Sequence, residues 1–158
     1  MKLKTILGVF VVCCTCLSVQ AQQQFRVMEY NVENLFDCRH DSLKNDKEFL
    51  PESPKGWSYN RYQDKLKKIA KVILAASHEQ VPDLVGLCEV ENEYCLDGLT
   101  RYSPLRDAGY RYVMTNSPDE RGVDVALLYQ PATFRLIGSQ YIGIPCLLYT
   151  SPSPRDTR

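Results

Sequence analysis

Residues 81–90, "VPDLVGLCEV", predict a buried strand and with it the class of the fold. The stretch starts at a Pro-Asp turn, and the residues from Leu84 to Cys88 are all apolar or small. Continuous apolarity of this kind is typical of a parallel strand with both faces covered, because a strand with one wet face alternates instead. A carboxylate, Glu89, stands near the end of this strand.

A helix is predicted before this strand. Ser58 occupies the N-cap position, where a serine side chain accepts a hydrogen bond from a free backbone N–H. Apolar side chains follow at the spacing of one helix face: Tyr62, Leu66, Ile69 and Ile73. The lysines among them are predicted to form the solvated face: Lys65, Lys67, Lys68 and Lys71.

An earlier strand is predicted over residues 25–31, "FRVMEYN". Strand, helix and strand then make a right-handed unit whose two strands are parallel. Parallel strands bring their carboxyl ends to one edge of a sheet, which is where α/β sheets bind ligands. Asn31 closes the first strand and Glu89 nearly closes the second, so the two are predicted neighbours despite their distance in sequence.

The remaining chain is predicted as a loop, a helix and three strands. Pro51, Pro54 and Gly56 interrupt the charged segment 38–57, which indicates a long surface loop. The other elements are a helix over residues 93–107, strands over 109–115 and 123–129 joined by the turn-rich segment 116–122, and a fifth strand over 134–142.

Asn31 and Glu89 are candidate metal ligands. An amide oxygen beside a carboxylate is a hard-oxygen pair, which suits Mg²⁺ because that ion takes few protein ligands and shares its other positions with water and substrate phosphate. Each residue could instead have a structural role without a metal. Asn31 could organise the turn after its strand, and Glu89 could be an ordinary acid at a strand end.

Three segments in this order resemble the endonuclease/exonuclease/phosphatase superfamily: "EYNVENLFD" (29–37), "PDLVGLCEVEN" (82–92) and "RGVDVALLY" (121–129). The family's strand ending in Asn-Val is matched at 31–32, and its Leu-Gln-Glu-Val motif at 87–90. The resemblance implies a DNase I-like sandwich of two sheets flanked by helices. It also implies Mg²⁺-dependent, or Mn²⁺-dependent, hydrolysis of a phosphoester in a nucleic acid, a phosphorylated small molecule or a lipid headgroup.

The sequence departs from the family pattern in two ways. Cys88 stands where the family has glutamine, so one polar contact in the floor of the site is absent. The sequence also contains neither the family's Gly-Asp-Phe-Asn segment, whose aspartate would activate the nucleophile, nor its terminal Ser-Asp-His. The resemblance therefore implies an α/β chain that carries the N-terminal part of the sandwich and is a truncated, inactive part of a hydrolase. The alternative is an exported, non-catalytic α/β binding module.

Arg121 is a candidate substrate-binding residue. It precedes a glycine at the entrance to a strand, where its guanidinium could approach a phosphate. It could equally pair with Asp119 or Glu120 on the surface. His40 and His78 lack the spacing of catalytic histidines and are predicted to be surface residues.

The N-terminal residues 1–21 are predicted to be a secretory signal peptide. Lys2 and Lys4 precede an apolar run over residues 6–17, which is too short to span a bilayer. The following Val-Gln-Ala, at 19–21, has the small residues of a cleavage site. The mature protein is therefore expected to be periplasmic or extracellular, with no transmembrane segment after cleavage.

The mature chain is predicted to be a partial domain, 22–145, followed by "CLLYTSPSPRDTR", 146–158, which resembles a non-native tail. It has 17 basic and 19 acidic side chains, because the signal removes two of the 19 basic ones. This balance argues against a basic groove for nucleic-acid phosphates. The mature cysteines lack zinc-site spacing. Cys88 is predicted to be a buried strand thiol, and Cys38 and Cys95 could form a disulfide.

The signal peptide gives a direct prediction about the mature N-terminus. When the gene is expressed with its own leader, the intact mass of the exported protein should correspond to a chain that starts at Gln22. An exported protein that still carries Met1 would contradict the assignment.

Overall fold

The computed structural model describes residues 24–76 and 80–142. The predicted signal peptide and tail, His78 and Cys146 lie outside these residues, so the predictions made for them stay predictions. Within the described residues, the chain is α/β, as its sequence predicts, with a four-stranded sheet and helices on one face of it.

The sheet has the strand order β1-β2-β4-β3, with β1 at Val27–Leu35, β2 at Leu84–Val90, β3 at Arg111–Met114 and β4 at Asp124–Tyr129. β1 and β2 are parallel, which confirms the predicted strand-helix-strand unit. β4 runs antiparallel to both β2 and β3, so the sheet is mixed.

Two α-helices accompany the sheet, α1 at Tyr59–Ala75 and α2 at Glu93–Arg101. Ser58 caps α1 as predicted, since its side-chain oxygen accepts the backbone N–H of Arg61 at 3.5 Å. None of the described helices is long and apolar enough to cross a membrane. Short 3₁₀ helices occur at Lys47–Phe49 and Pro104–Ala108.

The prediction that the second helix continues to residue 107 is wrong. α2 ends at Arg101, and Ser103 is extended, with φ −107° and ψ 177°. The cause is Pro104, because a proline has no N–H to donate and disfavours the helical conformation in the residue before it. Ser103 caps the following 3₁₀ helix, and its side-chain oxygen accepts the N–H of Leu105 at 3.0 Å.

The hydrophobic core lies between the helices and one face of the sheet. The sheet contributes Val32, Leu35, Val85, Leu87, Val90, Ala126 and Leu128 to it, and the helices contribute Tyr62, Leu66, Ile69, Ala70, Ile73, Cys95, Leu96 and Leu99. The predicted core face of α1 is confirmed, because all four of its predicted residues are buried.

The opposite face of the sheet is open. Val27, Val125 and Leu127 on that face are 71%, 51% and 38% exposed. Each square ångström of apolar surface that stays exposed to solvent loses about 25 cal/mol of stabilisation relative to a buried one. A mixed sheet with helices on one side and an apolar face on the other is consistent with part of a DNase I-like sandwich.

The predicted fifth strand over residues 134–142 is wrong. That segment has no regular secondary structure and is mostly exposed, although the Phe134 ring lies 5.2 Å from that of Phe25. The cause is the strand order. β4 already pairs with β2 on one side and β3 on the other, so the segment that follows β4 has no free edge beside it.

Aromatic packing anchors the loop 38–57, which the sequence predicted correctly to be irregular over most of its length. The Phe36 and Phe49 rings stack with centroids 4.0 Å apart, and Trp57 meets Phe49 edge-on at 6.1 Å. The Trp57 indole N–H also donates to the backbone oxygen of Phe36 at 3.0 Å. These contacts tie the middle and the carboxyl end of the loop to the end of β1.

Gly98 generates a prediction about packing between α1 and α2. A Cβ at this position would lie 2.5 Å from the Tyr62 hydroxyl and 2.9 Å from Leu66 Cδ1, and both side chains are buried. Alanine gains about 1 kcal/mol over glycine in a helix, but overpacking costs about 1–3 kcal/mol. Gly98→Ala should therefore lower the free energy of unfolding measured in urea. In the control Gly138→Ala, the new Cβ has no neighbour within 4 Å. A Gly98→Ala protein more stable than wild type would contradict the packing.

Candidate functional site

The structure brings Asn31 and Glu89 together at the end of the parallel strand pair. Asn31 lies opposite Cys88 in the ladder, and its side-chain N–H donates to Glu89 Oε1 at 3.1 Å. The predicted neighbours, 58 positions apart in sequence, are thus in direct contact.

Both strands become irregular at this point. β2 has a bulge at Glu89, whose φ is +67°, because Cys88 and Val90 pair with consecutive residues of β4. β1 loses its register after Asn31, and Glu33 and Asn34 have φ values of +54° and +63°. Positive φ costs a non-glycine residue about 1–3 kcal/mol, and such strain is concentrated at functional sites. Bulges also re-aim side chains.

The Asn31 side chain is held in one orientation. Its Oδ1 accepts the N–H of Glu33 at 2.8 Å while its amide N–H donates to Glu89. An amide oxygen has two lone pairs, so one remains for a cation.

These donors fit a Mg²⁺ half-site. Asn31 and Glu89 offer one amide oxygen and one carboxylate, and Mg²⁺ is commonly held by one or two carboxylates with waters and substrate phosphate. Among the residues that the structure describes, no group of three His, Cys, Asp or Glu side chains is arranged to bind a metal.

A cavity of about 930 Å³ opens beside Glu89, and Arg121 and Tyr141 also line it. The Arg121 side chain is about half exposed, and its Nε lies 3.6 Å from Asp119 Oδ1. Its backbone N–H donates to the same oxygen at 2.8 Å. Arg121 therefore lines the same cavity as Glu89 and also makes the surface pair with Asp119 that the sequence left open.

Asp124 organises the turn beside this cavity. Its Oδ1 accepts the N–H of Ser117 at 2.6 Å and the hydroxyl of Thr115 at 2.8 Å. The side chain is buried, with 8% of its surface exposed. Asp124 thus fixes the segment that leads to Arg121.

Two of the cysteine predictions are wrong, the Cys38–Cys95 disulfide and the burial of Cys88. Cys38 and Cys95 are both free thiols, so no disulfide joins them. Burial chiefly raises the pKa of the Cys95 thiol well above its ordinary value. Cys88 is also free and only partly buried, because its side chain lies on the open face of the sheet, where it lines the cavity with Glu89.

Lys65 is a residue of the site that sequence reasoning missed. Its ammonium donates to the backbone oxygens of Glu33 at 2.5 Å and Asn34 at 3.1 Å. The prediction that it belongs to a solvated face is therefore wrong, whereas Lys67, Lys68 and Lys71 are exposed as predicted. No pattern in the sequence distinguishes Lys65 from those lysines, because the partners of Lys65 are backbone atoms of β1.

Two acids lie partly or fully buried behind the site. Asp37 donates its backbone N–H to Glu91 Oε2 at 2.7 Å, and Asp37 Oδ2 accepts the Asn92 amide N–H at 3.3 Å. Burial, together with the Asp37 charge, raises the pKa of Glu91 to about 8. Asn92 also caps α2, because its side-chain oxygen accepts the N–H of Cys95 at 2.9 Å.

Comparison with known proteins gives one match. A family model described as the Endonuclease/Exonuclease/phosphatase family matches residues 26–154. No curated protein and no solved structure matches the chain significantly. The matched range includes part of the segment predicted to be a non-native tail, and the boundary at residue 145 stays a prediction.

The raised pKa of Glu91 predicts how stability depends on pH in metal-free protein. The native state keeps a proton that the unfolded chain releases near the ordinary pKa of 4.5. This contribution is therefore fully present below that pKa and is lost as the pH rises toward 8.

When the pH rises from 5 to 9, the unfolding free energy of Glu91→Gln should fall by less than that of wild type. The expected difference is on the order of 1–3 kcal/mol, which allows for the partial exposure of Glu91. Urea unfolding at each pH measures the difference. The exposed Glu93→Gln is the matched control, and equal pH profiles for wild type and Glu91→Gln would refute the prediction.

Proposed function

Because the chain belongs to the endonuclease/exonuclease/phosphatase family, we propose that it provides the metal-binding part of an exported, Mg²⁺-dependent phosphoester hydrolase. Membership alone suggests phosphoesterase-type chemistry. The observation that carries the metal assignment is the contact between Asn31 and Glu89 at the carboxyl ends of two parallel strands. The signal-like N-terminus is the support for export.

In this proposal Glu89 supplies the formal charge of the half-site and Asn31 a neutral oxygen. A bound Mg²⁺, or Mn²⁺, would polarise a phosphoryl oxygen and stabilise the leaving alkoxide. The hydrogen bonds from Glu33 to Asn31 and from Asn31 to Glu89 hold both ligands in place before a substrate arrives. Preorganisation of this kind lowers the reorganisation needed during reaction.

Arg121 is the proposed phosphate-binding residue. Its side chain lines the same cavity as Glu89, and guanidinium groups bind phosphate oxygens through two parallel hydrogen bonds. The Asp119 carboxylate 3.6 Å from Arg121 Nε keeps the guanidinium over the cavity without saturating its donors.

The charges around the cavity bear on the substrate. Among the residues that the structure describes, four acids line it together with one cation, Arg121; the acids are Glu89, Asp119, Glu120 and Asp124. An acidic lining of this kind does not provide the basic track that a long nucleic acid requires. The substrate is a phosphoester in a nucleic acid, a phosphorylated small molecule or a lipid headgroup, and the lining gives most support to a short one.

Activity in this proposal requires groups that the chain does not carry. The sequence has no Gly-Asp-Phe-Asn segment and no Ser-Asp-His. We therefore propose that the chain alone does not turn over substrate and that further sequence completes the site. The wet apolar residues Val27, Val125 and Leu127 support this, because they form the surface that a second sheet would cover.

The second candidate is a non-catalytic exported binding module. It is favoured by one observation, the absence among the described residues of any cluster of three metal-binding side chains. Gene sequence downstream of the Pro145 codon separates the two candidates. A Gly-Asp-Xaa-Asn strand end and a later Ser-Asp-His would support the hydrolase, and a natural stop would support the module.

Substitution of the two ligands tests the metal assignment in the full-length protein. Glu89→Gln removes the carboxylate of the half-site and should raise the barrier to phosphodiester hydrolysis by several kcal/mol, the scale of metal-supplied charge stabilisation. Asn31→Ala should raise it less, because Asn31 is a neutral ligand. Initial rates measured against Mg²⁺ concentration give both values.

The matched control is Glu93→Gln, which removes an exposed acid at the start of α2. It should leave the Mg²⁺ titration unchanged. A Glu89→Gln titration that coincides with wild type would rule out Glu89 as a ligand.

A further inference from the structure

We propose that Lys65 is a positioning residue of the candidate metal site, because its ammonium holds the irregular end of β1 that orients Asn31. This inference rests on the proposed function. It assigns a role in metal binding to a helix residue that does not itself contact Asn31 or Glu89 through any hydrogen bond in the structure.

The contacts of Lys65 are with main-chain oxygens. Nζ lies 2.5 Å from the oxygen of Glu33 and 3.1 Å from that of Asn34. These are the two residues of β1 with positive φ. Their peptides have left the ladder with β2, so their carbonyls need donors from elsewhere. One ammonium therefore binds both carbonyls of the strained segment, and the Asn34 oxygen also accepts the backbone N–H of Phe36 at 3.1 Å.

The strained segment in turn sets the Asn31 side chain. The N–H of Glu33 donates to Asn31 Oδ1 at 2.8 Å, and the Asn31 amide N–H reaches Glu89 at 3.1 Å. The direction of the Glu33 N–H depends on the dihedral angles of the same turn that Lys65 holds. Hydrogen bonds on either side of the Glu33 backbone thus connect Lys65 to Asn31, and through Asn31 to Glu89.

The position of Lys65 is itself fixed by its surroundings. The side chain is half-buried on α1, and Nζ lies 5.5 Å from the centroid of the Trp57 ring. Trp57 is anchored by its hydrogen bond to the Phe36 oxygen. By contrast, Lys68, one turn further along α1, is exposed. It therefore provides a matched control with the same charge on the same helix.

Removal of the Lys65 ammonium would change Mg²⁺ affinity in opposite directions through its charge and through its positioning role. Lys65 is a cation on the side of the site that faces Glu33 and Glu89, so loss of its charge alone would strengthen Mg²⁺ binding. Loss of positioning would weaken it, because outer groups that orient ligands typically affect metal affinity by about 10–100-fold. A purely structural role would lower the melting temperature and leave affinity unchanged in the folded protein.

The test is calorimetric titration of Mg²⁺ into the full-length protein, well below the melting temperature of each variant. Lys65→Met should weaken the Kd for Mg²⁺ about tenfold or more. Lys68→Met should stay within about twofold of wild type, the level expected for an exposed lysine away from the ligands. An unchanged or tighter Kd for Lys65→Met would overturn the proposal.

A milder variant covers the case in which Lys65→Met does not fold. Lys65→Gln keeps one donor group near the two carbonyls and should weaken Mg²⁺ binding in the same direction by a smaller factor. A wild-type Kd for folded Lys65→Gln would then overturn the proposal. Failure of the wild-type protein to bind Mg²⁺ would overturn the metal assignment itself, and with it this inference.

Discussion

The parallel pairing of β1 with β2 is the contact on which the rest of the structure depends. The crossover through α1 makes the two strands parallel, and the register puts Asn31 opposite Cys88. A shift of one residue in that register would turn every side chain of β1 to the other face of the sheet. The buried residues Val32 and Leu35 prevent the shift, because it would expose them. The core thus fixes the geometry of the site.

The site lies where this regular pairing stops. The bulge at Glu89 and the left-handed residues Glu33 and Asn34 cost free energy that a regular ladder would not. Neighbouring groups offset it: Lys65 binds the freed carbonyls, and Asp37 and Asn92 form hydrogen bonds beyond the strand ends. Regular strands therefore provide the frame, and local hydrogen bonds stabilise the irregular turns that hold polar side chains near one another.

Much of the frame could be predicted from the sequence, because it depends on local pattern. Three signals each depend on only a few neighbouring residues: the apolar spacing of α1, the Ser58 cap and the continuous apolarity of β2. Chain direction then sufficed to bring Asn31 and Glu89 together. One failure, the helix extended past Pro104, overlooked a local signal. The other failures depend on distant contacts. The segment 134–142 has the pattern of a strand, but the strand order shows that both sides of β4, the strand before it, are already paired. Lys65 and Glu91 look like ordinary surface charges until their tertiary partners are known.

The open face of the sheet also has a consequence for the order of assembly. The helix-covered layer is formed by the elements from β1 to β4, so it can close once residue 129 is available. Val27, Val125 and Leu127 stay wet until another surface reaches them. For the exported chain that we propose, this interval falls after translocation. Until this surface is covered, self-association through it competes with completion of the fold.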